Sequence, residues 1–458
     1  MTSDAEALVW PGAHASRPFL RTATQCWSHA EVAAQAQAHL ARVPAAERVL
    51  IAGRGGMHLV PALLAAWARG ALVLLVDPRE SAEEIERIAA SARAVVWHPE
   101  PALRLSNEPE AILRFDCARP AVALRTSGST GTPKFAVHAL RSLVANARAA
   151  NARVGFGSDD GWLLSLAPHH VGGLSILVRA MLSGGCVVLG DGPGALASDL
   201  RAERAITHVS VVATQLRRLL DDPGLDRRVR SLRAILLGGG PTPAAWREEA
   251  LDRGWPLFVT YGLTECASQV TTARASRSDA SVKAGDVVSA STDAGTPLDG
   301  VGVRIGGDGE IVVSGPTVFI GYLDAPPLTE PSFATGDLGV VDAHGRLHVA
   351  GRRDAMFITG GENVQPEEIE NVLRSVPGIE AAAVIAVEDP VWQWRPIAFV
   401  AGRFERDALE AALARLPRFK WPDRMLEMPA GERERAKPRR SVLAASLDAP
   451  TLWTRDGR

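Results

Sequence analysis

The sequence predicts an α/β fold: a large N-terminal doubly wound α/β domain with an added β-rich region, then a small C-terminal α+β domain. Three observations carry this. The segment from Arg48 to Pro78 reads as strand, glycine turn, helix, strand, with continuously apolar strands VLIAG and LVLLVD on either side of RGGMHLVPALLAAWARGA. Strands without polar alternation are those buried on both faces, which implies a parallel sheet covered by helices. Beyond about Thr296 the pattern switches to short alternating strands joined by DG and HG turns, as antiparallel hairpins require.

In chain order, the apolar strand signals GWLLSLAP, CVVLGDG, the strand–helix pair VSVVATQLRRLL, and AILLGGG repeat the first alternation and extend the doubly wound sheet. VRIGGDGEIVVSG and LGVVDAHGRLHVAGR then form the β-rich region. After GRRDAMFITGGEN a helix is predicted. Pro366 suits its first turn, Glu367, Glu368 and Glu370 complement the positive end of its dipole, and Ile369, Val372, Leu373 and Val376 share one face. The strands AAAVIAV and PIAFVAG, the helix RDALEAALARL and a basic tail complete the smaller unit, with the boundary near Gly351 to Asp354. The division expected is 1–351 and 352–458.

Composition limits the functional classes. Lys plus Arg total 50 against 52 for Asp plus Glu, a formal net charge of −2, so no global positive field exists to hold a nucleic acid or an anionic membrane. The four cysteines, Cys26, Cys117, Cys186 and Cys266, show no CxxC spacing, which excludes a zinc ribbon or a disulfide framework. The N-terminus lacks a basic segment followed by an apolar one, and no apolar run is long enough to span a bilayer. A cytoplasmic chain is expected. A homo-oligomer is left open.

The stretch TSGSTGTPK, Thr126 to Lys134, follows the apolar strand AVAL and is rich in hydroxyls and glycines, with a single lysine. Glycines allow backbone N–H groups to approach an anion, hydroxyls add donors and lysine adds charge, so the loop has the chemistry of a phosphate cradle. It is not a P-loop, because Pro133 stands between Thr132 and Lys134. Without wider context, such a loop also reads as a flexible turn.

Four further motifs follow in order: LLGGGPTP from Leu236, YGLTE from Tyr261 to Glu265, TGD from Thr335 to Asp337 and GRRD from Gly351, leading into GGENVQPEEIE from Gly360. With this series the chain resembles the acyl-adenylate-forming (AMP-binding) enzymes over nearly its whole length. The resemblance implies that Thr126, Ser127, Gly128, Ser129, Thr130, Gly131 and Lys134 hold the phosphates of ATP, with Gly239, Gly240 and Gly262 shaping the nucleotide site. Tyr261 would pack on adenine, Thr264 would bond a phosphate oxygen, and Glu265 would hold Mg²⁺, a hard cation that prefers oxygen ligands. Asp337 and Arg352 would bond the ribose. Asp354 would be the hinge on which a mobile C-terminal domain turns. In AKPRRSVL, Lys437 takes the place of the activating lysine, with Arg440 and Leu443 at matching offsets and Ala436 where the family carries glycine. The implied chemistry is adenylation of a carboxylate by ATP, then transfer of the acyl group to the thiol of CoA.

Within the family the resemblance is strongest toward members that convert 2-succinylbenzoate to its CoA thioester for menaquinone biosynthesis, through HHVGGLSILVRAMLSGG, VVATQLRRLL and YGLTECAS. His170 is the candidate wall residue of the acyl pocket, against the alternative that it packs under the sheet. A second substrate carboxylate calls for a cation. Arg179 and Arg217 lie on predicted helices near these segments, where an exposed helix arginine is the ordinary reading. Trp392, Trp394 and Arg395 are read as core or domain-contact packing in preference to a platform for CoA adenine.

Three rival readings differ in kind: an adenylating enzyme that loads a carrier-protein thiol, a nucleotide binder without catalysis, and a dinucleotide enzyme suggested by AGRGGMH. The last fails because GxGxxG spacing needs glycine where His58 stands. Retention of Glu265, Asp337 and Lys437 together argues against the second.

Overall fold

Two mixed sheets with parallel cores carry the N-terminal region. In the computed structural model, residues 7–52, 56–99, 111–126, 134–192, 194–276, 292–359, 362–433, 435 and 438–455 are described. The first sheet has eight strands in the order Ser268–Arg274, Leu257–Leu263, Ala234–Leu237, Ile206–Val211, Gly161–Leu163, Cys186–Val188, Pro18–Arg21, Cys26–Ser28. Its inner pairs are parallel and the strands at its two edges pair antiparallel. The second has six strands, Gly321–Tyr322, Lys134–Ala139, Pro120–Thr126, Leu72–Leu75, Arg48–Ile51 and Val95–Trp97. The four from Pro120–Thr126 to Val95–Trp97 are parallel neighbours.

The physical basis is that read from the sequence. Every residue of Leu72–Leu75 and of Ala234–Leu237 is buried, so both faces of each strand lie under other elements. The helix Gly56–Ala68 follows the strand Arg48–Ile51 as the βαβ pattern requires. A five-stranded antiparallel sheet comprises Thr292–Asp293, Leu347–Arg352, Ser332–Val341, Glu310–Ser314 and Gly302–Ile305. It supplies the β-rich region.

From Phe357 onward the chain builds a separate sheet, ordered Glu362–Val364, Phe357–Thr359, Gln393–Gly402, Arg424–Glu427, Thr451–Thr454, with Ile379–Asp389 paired to Gln393–Gly402. The two apolar clusters around this sheet draw on residues 357–453 alone. The helix Pro366–Arg374 buries Ile369 and Leu373 completely, so the predicted apolar face is the face that packs. Between the two regions, Arg353 bridges back to Asp308 (3.0 Å) and Glu310 (2.6 Å), and the Gln365 side-chain amide donates to the Arg352 carbonyl (2.8 Å).

Candidate functional site

The residues that the sequence assigns to a nucleotide site, where they are described, collect along one edge of the two sheets, the edge where open α/β sheets bind ligands. The strand Pro120–Thr126 and its antiparallel neighbour Lys134–Ala139 end on the pair Thr126–Lys134, with the Thr126 hydroxyl 3.4 Å from the Lys134 carbonyl oxygen. This pair flanks the segment expected to cradle phosphate; Ser127, Gly128, Ser129, Thr130 and Gly131 lie outside the described residues. The strand Ala234–Leu237 leads into Gly238, Gly239 and Gly240, where Gly239 has φ +82° and so sits in the region that favours glycine. The strand Leu257–Leu263 carries Tyr261 and Gly262 and turns at once into the 3₁₀ segment Thr264–Cys266. A Cβ on Gly262 would stand 1.7 Å from the Ser268 carbonyl oxygen, so only glycine permits the return strand to pass there.

That turn joins the sheets. His138, fully buried on the second sheet, places Nε2 2.6 Å from the Thr264 carbonyl oxygen, and Phe319 N–H donates to the Glu265 carbonyl at 2.9 Å. Asn146 donates to the Cys266 and Gln269 carbonyls. Just after it, Ala267 (φ +56°) and Ser268 (φ +105°) are consecutive non-glycine residues in a costly backbone region. The strained pair Ala267–Ser268 is flanked by the carbonyls of Cys266 and Gln269, both held by Asn146.

Two constellations result. In one, the Glu265 carboxylate accepts from the Tyr322 hydroxyl at 2.8 Å, and the Lys134 ammonium sits 5.3 Å from the Tyr322 ring centroid. In the other, the Tyr261 hydroxyl donates to Asp337 at 2.6 Å, while Arg352 donates to Asp337 (3.3 Å), to the Thr335 carbonyl (2.8 Å) and to Asp354 (3.0 Å). Burial pushes the Tyr261 phenol well above its ordinary range, and the Asp337 charge adds to this, so the hydroxyl remains a donor. Burial alone would lower the Arg352 guanidinium, but the Asp354 and Asp337 carboxylates hold it above its usual value. Among the described residues no cluster of three or more His, Cys, Asp or Glu could hold a metal by itself. Glu265 offers the single carboxylate that a Mg²⁺ ion carried by nucleotide phosphates needs, so the donor set fits such an ion.

His170 stands at the N-terminus of the helix Val171–Ser183, exposed, its ring centroid 4.4 Å from that of His169. His169 in turn lies 3.8 Å from Asp77, which Arg79 pairs at 2.7 Å. Burial lowers His169 to about 4, so that ring is neutral at physiological pH. His170 is therefore not packed under the sheet. No hydrogen bond or ion pair among the described residues joins it to the two constellations. Lys437 lies outside the described residues.

Three residues stand otherwise than the sequence suggested. Arg179 is not an exposed helix arginine: it is 1% exposed, its guanidinium donates to the Gln269 side chain and lies 4.8 Å from the Trp162 ring centroid, and its Nε has no partner among the described residues. Burial lowers it to about 9. Of the core or domain-contact packing expected at Trp392, Trp394 and Arg395, the core half holds for Arg395, 3% exposed, and not for Trp392 and Trp394, which are 46% and 37% exposed. Trp392, Arg395, Arg418, Phe419 and Arg455 line a cavity of about 350 Å³ on the C-terminal region, with Asp423 bridging Arg395 (2.7 Å) and Arg455 (3.2 Å). Arg217 keeps the ordinary reading, paired to Asp221 and Glu249.

This geometry is that of an acyl-adenylate-forming enzyme, and the chain belongs to the AMP-binding enzyme family, whose model matches residues 97–323, with the family's C-terminal domain matching 368–433. A 2-succinylbenzoate–CoA ligase of Bacillus mycoides is 32% identical, the match covering 78% of this chain and 79% of that one. The o-succinylbenzoate CoA synthetase (MenE) of Bacillus subtilis in complex with the acyl-adenylate intermediate OSB-AMP superposes with a TM-score of 0.77 at 28% identity, covering 90% of this chain and 92% of that chain. The same protein in complex with ATP and magnesium ion gives 0.76 at 27% identity, covering 90% and 93%.

Proposed function

We propose that this chain is an AMP-forming acid–thiol ligase that converts 2-succinylbenzoate, ATP and CoA to 2-succinylbenzoyl-CoA, AMP and pyrophosphate in menaquinone biosynthesis, in the cytoplasm. The observation that carries it is the meeting of Lys134, Glu265, Tyr261, Asp337 and Arg352 at one edge of the paired sheets, in a chain similar over most of its length to 2-succinylbenzoate–CoA ligases. In the first step a substrate carboxylate oxygen attacks the α-phosphorus of ATP and the bond to the pyrophosphate oxygen breaks. Thr126, Lys134 and the loop between them hold the departing phosphates, Thr264 bonds a phosphate oxygen, Glu265 holds the Mg²⁺ that arrives with them, Tyr261 packs on adenine, and Asp337 with Arg352 bonds the ribose. Lys437 brings the carboxylate against the α-phosphorus and offsets the charge that develops there. In the second step the CoA sulfur attacks the acyl carbon, the thiol gives up its proton and AMP leaves. The two regions, 1–351 and 352–458, would turn about Asp354 between the steps, withdrawing Lys437.

The second carboxylate of the substrate is read by Arg179 in this proposal. A buried cation without a carboxylate partner among the described residues is costly, and an anionic ligand relieves that cost. One turn before it, Ser175 lies 3.5 Å from Ser268, at the start of the strand that leaves the Glu265 turn, so this helix face borders the adenylation site. His170 lines the mouth of the same pocket. The test is thioester formation, read by mass spectrometry, with ATP, Mg²⁺ and CoA, for 2-succinylbenzoate beside benzoate, salicylate, short fatty acids and amino acids. A strong preference for 2-succinylbenzoate is expected, and Arg179→Gln should raise its KM by 10-fold or more while leaving any benzoate turnover unchanged. Preference for another acid, or adenylate without thioester, would move the reading to a different acyl ligase or to a carrier-protein loader.

The Trp392 cavity takes the nucleotide end of CoA, since an indole face with Arg418 and Arg455 beside it suits a planar base bearing phosphates, while Arg395 is held in the wall by Asp423, Thr359 and the Phe419 and Trp421 carbonyls. Stacking of a base on an aromatic ring contributes roughly 1–3 kcal/mol. Trp392→Ala is therefore expected to raise the KM for CoA about 10-fold and to leave that for pantetheine, which lacks the nucleotide, unchanged. Equal loss with both thiols would remove this assignment.

A further inference from the structure

We infer that Tyr322 is a positioning residue for adenylation: it holds the Glu265 carboxylate and the Lys134 ammonium in one fixed arrangement, so that metal and phosphate are bound as a unit. The proposal rests on the assignment of Glu265 to Mg²⁺ and of Lys134 to phosphate, and goes beyond it by naming what couples them.

Three features of Tyr322 support this. Its hydroxyl donates to one oxygen of Glu265 at 2.8 Å, which fixes the rotation of a carboxylate that would otherwise swing freely at the end of two methylenes. Its ring presents a face to the Lys134 ammonium, with 5.3 Å from nitrogen to centroid, a cation–π contact that restrains a long flexible side chain. The ring itself is locked edge-on against Phe319, centroids 5.0 Å apart.

The backbone reinforces the same link. Gly321–Tyr322 pairs antiparallel with Lys134–Ala139, Tyr322 opposite Ala136, so Tyr322 belongs to the strand pair that roots the phosphate loop. Phe319, three residues earlier, donates its N–H to the Glu265 carbonyl, and His138 on the paired strand contacts the carbonyl of Thr264. The segment from Phe319 to Tyr322 thus reaches Glu265 twice, by a side-chain bond to its carboxylate and a main-chain bond to its carbonyl, and reaches the phosphate lysine through a ring. Oxygen atoms of Glu265 left over from the Tyr322 bond are then aimed without a search over rotamers at the moment MgATP binds. Preorganised ligands of this kind cost nothing to arrange during the reaction.

The experiment separates the half-reactions. Tyr322→Phe keeps the ring and its contacts with Lys134 and Phe319 and removes only the hydroxyl. In the adenylation half-reaction, the Mg²⁺ concentration for half-maximal rate is expected to rise about 3- to 10-fold. Thioester formation from supplied acyl-adenylate and CoA, which needs no MgATP, should stay within 2-fold of the parent enzyme on the same preparation. Tyr322→Leu, which also removes the cation–π contact, should raise the KM for ATP in addition. Glu265→Gln is the companion variant. If it shifts the Mg²⁺ dependence and Tyr322→Phe does not, the inference about Tyr322 is overturned alone; if Glu265→Gln leaves that dependence unchanged, the metal assignment falls and the inference with it. A parallel fall in both half-reactions of Tyr322→Phe would show a general structural role and also overturn it.

Discussion

Lys437→Ala is expected to slow acyl-adenylate formation by about 100- to 1,000-fold, the loss typical when one preorganised charge or donor at a developing anion is removed. The attacking carboxylate and the α-phosphoryl group are both anionic, so their approach is repulsive until a cation lies between them. Lysine is suited to this, because its compact charge sits on a flexible stem that can enter and leave a site. The effect should be confined to the first half-reaction. ATP binding, measured by equilibrium titration, should change little, since the phosphate loop, Asp337 and Arg352 supply it. Conversion of supplied 2-succinylbenzoyl-adenylate and CoA to thioester should also be nearly unchanged, because Lys437 has no part in thiol attack. Undiminished adenylation in the variant would remove Lys437 from the mechanism and transfer the role to another cation of the segment, with Arg439 and Arg440 the first to test. A deficit shared equally by both steps would point to a misfolded C-terminal region instead.

The parts of this fold that could be read in advance are those set by local physics. Leu72–Leu75 and Ala234–Leu237 are apolar at every position, and only a buried parallel strand tolerates that. The helix Pro366–Arg374 carries its proline, its acidic first turn and its apolar face within nine residues. Thr451–Thr454 was not foreseen; this four-residue strand closes the C-terminal sheet by pairing with Arg424–Glu427, and nothing within either segment announces a partner so far along the chain. The same holds for Pro18–Arg21, which reaches the first sheet by pairing with Cys186–Val188. The site divides in the same way. Tyr261, Glu265, Asp337 and Arg352 sit in motifs, whereas Tyr322 becomes visible only when its strand is laid beside Lys134–Ala139. Arg179 left no signal. The large apolar residues of the helix Val171–Ser183, Leu174, Ile176, Leu177, Val178 and Met181, leave one side of the axis open, and Arg179 falls on that side, where the pattern alone reads as an exposed face.

Acid should unfold this protein well before its carboxylates are titrated, because two fully buried histidines are held neutral. Trp10 donates its indole N–H to His29 Nδ1 at 3.1 Å, which leaves the His29 proton on Nε2, 3.3 Å from the Gly185 carbonyl. A second proton would have to sit on Nδ1, facing another donor. His138 likewise spends its Nε2 proton on Thr264, and its Nδ1 has no hydrogen-bond partner among the described residues. A proton added there would be a buried, unpartnered charge. Burial accordingly lowers both histidines to about 4. The unfolded chain, with histidines near 6.5, takes up protons first as pH falls, so between about 6.5 and 4 it binds more protons than the native state and stability rises with pH across that window. The stabilisation is fully present above pH 6.5 and is lost as pH falls toward 4. Each such histidine contributes a limiting slope of about 1.4 kcal/mol per pH unit, and His169 and His208, which burial also lowers to about 4, add their shares to those of His29 and His138. Urea unfolding at intervals from pH 7.5 to 5 should show this steepening below pH 6.5, and His138→Gln, which keeps a donor for Thr264 but does not titrate, should reduce the slope by one histidine's share, about 1.4 kcal/mol per pH unit. A parent protein whose unfolding free energy is level from pH 6.5 to 5 would contradict the buried neutral state of both rings.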